Sequence, residues 1–304
     1  SFYILNPYTS AYVGVRLTEI TAIFLVTAIF YLFLKFMKTK IPAYLFFLAV
    51  FLGFLPFVRP GYLFFSLFVM IILIIKAVSY TAKTISKIFL VTVISIVFFS
   101  FFIFNIARNY LYFKQAAVLT VDSLFVREFY ISLFIDSFEK NKNIPKQVTE
   151  IYQEYSRTTN ASEWKKMAQK YSNLAMEEIY RDPVLFIVRR IRKLWIVWEK
   201  HELFSYENPK NDNVTQLVYW SNIIIFMICA IGISFWVRKK KEVWFTLLFF
   251  FLVAYITVLH AFTITAERFS LPAYSLIFLF AGYGLWTILT RLSNIFTHQK
   301  KENI

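Results

Sequence analysis

Cysteine, glycine and histidine are scarce in this chain of 304 residues. A single cysteine, Cys229, excludes an intrachain disulfide and a cysteine zinc cluster. With six glycines in all, a backbone cradle for a nucleotide is not expected, and the sequence contains no Gly-rich phosphate loop, Gly-x-Ser-x-Gly elbow or HExxH helix. The three histidines (His201, His260 and His298) lack metal-ligand spacing. The sequence therefore carries no signature of a soluble enzyme and indicates no metal or other cofactor.

Apolar side chains, in contrast, are more abundant than a soluble domain can bury. Hydrophobic residues make up 59% of the chain and aromatic residues 21%, and the mean hydropathy is +0.58. Several apolar runs reach the length that crosses a bilayer. Cationic loops lying against anionic lipid explain the net charge of +15, so it does not indicate a nucleic-acid partner. The composition predicts an all-α polytopic membrane protein.

The apolar runs predict about seven transmembrane helices, at about 13–34, 41–58, 61–75, 88–107, 217–237, 243–261 and 271–290. Lysine-rich stretches lie at 35–40, 76–87, 238–242 and 291–304. Along the chain they alternate with the stretches expected on the opposite side of the membrane. Because such loops stay cytoplasmic, they place Ser1 outside the cell membrane and Ile304 inside. A chain that starts outside without a signal peptide is expected if an odd number of spans precedes it.

Residues 108–216 form one long stretch between the membrane bundles expected at 1–107 and 217–304, and they hold 14 of the 18 acidic residues. We expect them to form a small, mainly helical extracytoplasmic domain. Within it, Asp182 and Pro183 predict a helix start, with a capping carboxylate followed by proline at the first position. The apolar face of this helix comprises Val184, Ile187, Ile191, Leu194, Trp195 and Trp198, with Arg189, Arg190, Arg192 and Lys193 on or beside the other face. The pattern suits either an interfacial helix or an ordinary juxtamembrane connector.

Arginine and lysine are segregated between the two sides of the membrane. Arg16, Arg59, Arg108 and Arg268 lie at the predicted outer ends of spans, whereas the predicted cytoplasmic stretches carry mostly lysine. Lysine is a hydrated point charge, while the planar guanidinium group grips phosphate with paired hydrogen bonds. The segregation indicates that a phosphate is bound on the arginine side, with Arg59, Arg108 and Arg268 as its ligands.

Other polar residues at the same ends are candidates for supporting roles. Arg16 and Glu19 are spaced to pair on one helical face, either as an anchor or as part of a site. Asn109 adjoins Arg108, and the last outer loop contributes His260 and Glu267. Two ordinary interpretations stay open: Arg59 snorkelling to the surface, and a solvent-exposed pair of Glu267 with Arg268.

Four stretches, in this order, resemble motifs of the membrane-bound glycosyltransferases of the C superfamily, particularly the family 39 or protein-mannosyltransferase-like and aminoarabinose-transferase-like bacterial enzymes. They are Asn6-Pro7 with Leu17-Thr18-Glu19; Gly53 to Arg59-Pro60; Ile106-Ala-Arg108-Asn109-Tyr110; and Glu267-Arg268-Phe269-Ser-Leu271-Pro272 followed by Ala281-Gly-Tyr-Gly284. The stretch from Asp182 to Trp198 is similar to the family segment that returns to the membrane. The resemblance covers nearly the whole chain.

The resemblance implies transfer of a sugar from a polyprenyl-phosphate carrier to a protein, lipid or glycan acceptor on the outer side. It also implies that the catalytic acidic residue lies in a first outer loop upstream of Ser1, with Glu19 as the alternative within this chain. Two other functions stay open. A flippase for lipid-linked sugars would need polar groups at mid-membrane depth, and the spans are nearly free of them: Asn222, the clearest polar amide, lies well toward the outer end. A non-catalytic membrane subunit would need none.

Overall fold

The protein is an all-α polytopic membrane protein. The computed structural model describes residues 18–80, 84–113, 116, 118, 122–136, 145–157, 161–200, 212–239 and 242–302. In these ranges it contains eleven α-helices and no strand. They are α1 (Thr18–Thr39), α2 (Pro42–Val58), α3 (Leu63–Tyr80), α4 (Thr84–Phe113), α5 (Asp122–Ile131), α6 (Lys146–Arg157), α7 (Ala161–Arg181), α8 (Pro183–Ile196), α9 (Asp212–Arg238), α10 (Val243–Phe262) and α11 (Leu271–Glu302). Short 3₁₀ turns at Pro60–Tyr62 and Glu267–Ser270 precede α3 and α11.

Six of these helical stretches are long and apolar enough to cross a membrane, and α2 is a shorter apolar helix of 17 residues. Each of the seven predicted runs therefore coincides with an apolar helix. All of these helices except α2 extend beyond the predicted runs, most clearly α4 and α11. The reason is that hydropathy detects the apolar length, whereas backbone hydrogen bonding continues into polar flanks.

Local sequence explains where two of the helices begin and end. Pro60 disfavours helical geometry at the preceding residue, and Arg59 is accordingly extended (φ −146°, ψ 98°) and ends α2. Asp182 caps α8, since its Oδ1 accepts a hydrogen bond from the Leu185 amide at 2.9 Å and Pro183 follows at the first helical position. The predicted cap at Asp182 is therefore confirmed.

The chain divides into two compact units. The first unit comprises 1–27, 199–251 and 271–304. In it, α9 packs closely along α11. An aromatic group formed by the partly buried Trp236 and the buried Phe245 and Phe280 supports this packing, with ring centroids 5.7–5.9 Å apart.

The second unit comprises 28–198 and 252–270. In it, α2 packs against α3 and α4, and α5 packs against α7. A separate core joins α5, α6 and α7 through Ile131, Ile135, Val148, Ile151, Met167, Tyr171 and Ile264. Ile264 belongs to the short segment after α10, so this segment is anchored in the core formed by α5, α6 and α7.

Candidate anion site

The turn that carries Arg59 is held against the second half of α10. The Tyr255 hydroxyl donates a hydrogen bond to the Gly61 carbonyl, which lies two residues after Arg59. The Tyr255 ring also contacts the rings of Tyr62 and Phe65, with centroids 6.3 and 6.0 Å away. These contacts fix the end of α2 beside the part of α10 that leads to His260.

Phe269 is the point at which three candidate residues meet. The guanidinium carbon of Arg59 lies 4.7 Å from the Phe269 ring centroid, and that of Arg268 lies 5.7 Å from it. The His260 ring stacks on the same ring, with centroids 4.5 Å apart and planes inclined by 27°. The two guanidinium carbons are therefore separated by no more than the sum of their distances to this ring.

Hydrogen bonds fix the segment between α10 and α11 that carries Arg268 and Phe269. The Thr265 amide donates to the Asp136 carbonyl at 3.1 Å, and the Thr265 hydroxyl donates to the His260 carbonyl at 2.7 Å. The Ser270 hydroxyl donates to the Val197 carbonyl at 2.7 Å. Phe269 therefore sits in a segment tied at both ends, which makes it a firm support for the two arginines.

The electrostatics of this cluster favour an anion. Arg59 and Arg268 are partly buried, and Nη1 of Arg59 and Nε of Arg268 are inaccessible to solvent. Two guanidinium groups held near one another repel, and an anion bound between them would relieve the repulsion. The face of the Phe269 ring stabilises both cations. The planar guanidinium fork matches the geometry of phosphate and carboxylate oxygens.

Arg108 and Asn109 lie in the last two turns of α4. Arg108 is exposed, and its Nε and Nη2 donate to Asn109 Oδ1 at 3.3 and 3.0 Å, while Asn109 itself is buried. Asn105, one turn earlier, is buried and donates to the Val118 carbonyl. Within the described ranges no hydrogen bond or ring contact joins Arg108 to Arg59 or Arg268. The structure thus brings together two of the three predicted phosphate ligands.

The remaining candidates are at or outside the limits of the described residues. Glu19 is 5% exposed in the first turn of α1, and the Thr18 hydroxyl donates to its Oε2 at 3.4 Å. Arg16, its predicted partner, lies outside the described residues. Glu267 lies in the 3₁₀ turn before α11, and its side chain is also outside the described set. Among the residues that the structure describes, no group of His, Cys, Asp or Glu could hold a metal ion.

Two buried cations on α8 were not recognised as such in the sequence. The Lys193 ammonium donates to the carbonyls of Ser132, Ile135 and Thr263 at 2.9, 3.1 and 3.4 Å. Arg190 donates to the Ser132 hydroxyl at 2.8 Å and to the Ala261 carbonyl at 2.9 Å. The sequence placed both residues on or beside the face opposite the apolar one, without indicating which face meets the protein. In the structure, both cations donate hydrogen bonds to backbone carbonyls near the C-terminal ends of α5 and α10.

Burial controls the ionisation of both cations. Burial, together with the neighbouring charge of Arg190, lowers the pKa of Lys193 to about 7. Burial also lowers the pKa of Arg190 to about 10, against an opposing effect of Asp136. Both residues contact 261–263, the start of the segment that leads to Arg268. They therefore position the candidate site without belonging to it.

Comparison with protein-family models, characterised proteins and solved structures gave no significant match.

Proposed function

We propose that this protein is a glycosyltransferase that moves a sugar from a polyprenyl-phosphate donor to a protein, lipid or glycan acceptor at the extracytoplasmic face of the cell membrane. The observation that carries the proposal is the meeting of Arg59 and Arg268 at the Phe269 ring, beside His260. The residues come from two membrane helices and a loop, which is how a site for a lipid headgroup would be assembled at a membrane surface.

The chemistry of sugar transfer fits such a pair. As the anomeric carbon–oxygen bond breaks, the electron pair stays on the phosphate oxygen, so negative charge grows on the leaving group. Guanidinium groups placed beforehand at that position stabilise the transition state more than the ground state. Arg59 and Arg268 would supply this stabilisation directly. Arg108, exposed on α4, would contact the donor only if the headgroup extends toward it.

An acidic residue must also take the proton of the acceptor hydroxyl. Within this chain the candidate for this role is Glu19. Glu19 is buried near the start of α1, and burying a carboxylate is costly unless it is paired or functional. The location of Glu19 fits either a structural pair or the general base.

Transport of lipid-linked sugars is the competing function, and it places different demands on the spans. Transporters need polar groups at mid-membrane depth that can bind cargo. Asn222, the clearest polar amide in the spans, is 1% exposed and accepts a hydrogen bond from the Tyr274 hydroxyl at 2.5 Å. This bond gives Asn222 a structural role between α9 and α11 rather than a role in binding cargo. We therefore favour the transferase, which the arginine pair supports.

Binding of the phosphate headgroup can be measured without knowing the sugar. The purified protein in nanodiscs is titrated with undecaprenyl phosphate and, separately, with undecaprenol, which lacks the phosphate. We expect Arg59→Ala and Arg268→Ala each to weaken phosphate binding by about ten- to a hundredfold, the loss typical of a charged hydrogen bond. Arg238→Ala is the matched control, because Arg238 is an exposed arginine at the end of α9 that belongs neither to this cluster nor to α8.

Two results would overturn the phosphate assignment: equal affinity for undecaprenol and undecaprenyl phosphate, or unchanged affinity in both alanine variants. Catalysis is tested separately, by following sugar release from a polyprenyl-phosphate sugar with single alanine variants of the protein. Near-normal turnover in Arg268→Ala would remove Arg268 from the mechanism. Tight phosphate binding without any sugar release would leave a binding or transport protein.

A further inference from the structure

Helix α8 exposes its apolar face and buries cations. Val184, Ile187, Ile191, Leu194 and Trp195 are 69%, 55%, 62%, 40% and 47% exposed and recur every three or four residues, so they form one stripe. Arg190 and Lys193, which point toward the protein, are 6% and 0% exposed. The neighbouring α7 has the usual arrangement, with Met167 and Tyr171 buried in the core. The exposed stripe of α8 therefore needs an apolar partner.

Contacts between α8 and α10 identify this partner. The ring of Phe186, near the start of α8, lies 6.4 Å from the ring of Phe262, the last residue of α10. Phe262 is itself 40% exposed, and Val258, one turn earlier, is 53% exposed. Because α10 is one of the helices able to cross the membrane, its exposed apolar side faces lipid. The apolar surface of α8 continues this side.

Further contacts show how deep each end of α8 lies along α10. Arg190 donates to the carbonyl of Ala261, close to the end of α10. Beyond the C-terminal end of α8, the Trp198 indole nitrogen donates to the Thr257 hydroxyl at 2.8 Å. Thr257 precedes Phe262 by five residues, which corresponds to about 7.5 Å along the axis of α10. The C-terminal end of α8 therefore lies deeper along the span than its start.

We propose that α8 is an interfacial helix that enters the lipid headgroup layer obliquely, with its apolar stripe toward the acyl chains and its Trp195 end deeper than its Val184 end. Arg181 and Arg192, with side chains 80% and 75% exposed, lie beside the stripe and match the charge of lipid phosphates. Tryptophan at the deeper end is typical of the boundary between headgroups and acyl chains. This inference does not depend on the proposed enzymatic activity.

Spin labels test the proposal directly. In the full chain with Cys229→Ala, which removes the lone buried cysteine, single cysteines are introduced as Val184→Cys, Ile191→Cys and Leu194→Cys. Arg192→Cys is the control on another side of the same helix, and Lys166→Cys is an exposed control on α7. The labelled proteins are placed in nanodiscs of phosphatidylcholine and phosphatidylglycerol, which leave both membrane faces open to water.

Oxygen concentrates in lipid and a nickel chelate stays in water, so their collision rates with each label report depth. We expect oxygen-to-nickel ratios above both controls at all three stripe positions, rising from 184 to 194. Ratios equal to that of the Lys166→Cys label would overturn the proposal, because the stripe would face water. Labels closed to both reagents would overturn it too, since protein rather than lipid would then cover α8. Because the stripe positions are exposed, the substitutions leave the core intact, and circular dichroism verifies this.

Discussion

Gly232 of α9 and Gly284 of α11 lie directly against each other. A Cβ atom added to Gly284 would be 2.9 Å from the Gly232 Cα and 2.8 Å from the Ile228 carbonyl oxygen. A Cβ atom added to Gly232 would be only 1.9 Å from the Phe280 carbonyl oxygen. The two helices can approach this closely because neither residue has a side chain, which is a common basis for helix packing in membranes.

Gly232→Ala should therefore destabilise the protein despite alanine's higher helix propensity. The added methyl group would collide with backbone atoms of α11, which cannot rotate away as a side chain can. α9 and α11 would therefore have to separate. We expect a loss of about 1–3 kcal/mol, the usual cost of overpacking. The thermal unfolding midpoint in detergent measures this effect.

Gly282→Ala is the matched control for this substitution. Gly282 also belongs to α11 but points in a different direction, because two residues correspond to about 200° around a helix. It reports the propensity gain without the Gly232 contact. If Gly232→Ala were as stable as Gly282→Ala, the close approach of the two helices would be wrong.

Tyr255→Phe should weaken phosphate binding while leaving the fold intact. The substitution removes the hydroxyl that binds the Gly61 carbonyl and keeps the ring that packs on Tyr62 and Phe65. With the turn less firmly held, Arg59 would spend less time beside Phe269. We expect a stability loss of about 0.5–1.5 kcal/mol and a measurable loss of affinity for undecaprenyl phosphate.

The comparison for this variant is Tyr180→Phe, which removes a hydroxyl from a side chain that is 77% exposed on α7. It should change neither stability nor binding. Undiminished phosphate affinity in Tyr255→Phe would mean that the hydrogen bond to Gly61 does not position Arg59, although both arginines could still bind the ligand.

Asp182→Ala tests the start of α8. The Asp182 carboxylate accepts the hydrogen bond of the Leu185 amide at 2.9 Å, and losing such a cap costs about 1 kcal/mol. Asp182→Asn retains an oxygen acceptor and should recover most of this loss. Unfolding followed by helical circular dichroism would reveal the difference, whereas equal stability of the alanine and asparagine variants would argue against the cap.

Much of the fold was predictable because its determinants are local. An apolar run of bilayer length must form a helix, since lipid offers no partner for free backbone groups. Pro60 determines the end of α2 at Arg59, and Asp182 with Pro183 determines the start of α8. The extension of α4 to Phe113 was missed because Arg108 and Asn109 resemble a terminus in composition while still allowing helical hydrogen bonds.

The rest was not predictable because it depends on contacts between distant parts of the sequence. No pattern in the last loop shows that Ile264 enters the core formed by α5, α6 and α7. Nor does any pattern place Arg59 on the ring of Phe269. On α8 the period was recognised correctly, but period alone does not show which face meets the protein. The carbonyls that bind Arg190 and Lys193 become available only after folding.

Lys193 should make stability depend on pH. Its pKa is lowered to about 7 in the folded protein from an ordinary value of 10.5. Between these values the unfolded chain binds a proton at Lys193 that the folded protein has released. Stability therefore rises with pH across this window, at up to about 1.4 kcal/mol per pH unit, and the contribution is constant below it.

The test compares the pH dependence of unfolding in detergent between the parent protein and Lys193→Met. Methionine fills a similar volume without a titratable group, so the curve of the variant should be flatter between about pH 7 and pH 9. Arg189, Arg190 and Asp136 are the charges that influence Lys193, and they remain in both proteins. Lys166→Met, at an exposed position of α7, controls for the loss of one lysine. Parallel curves for the parent and Lys193→Met would mean that the three carbonyls keep this ammonium charged despite its burial.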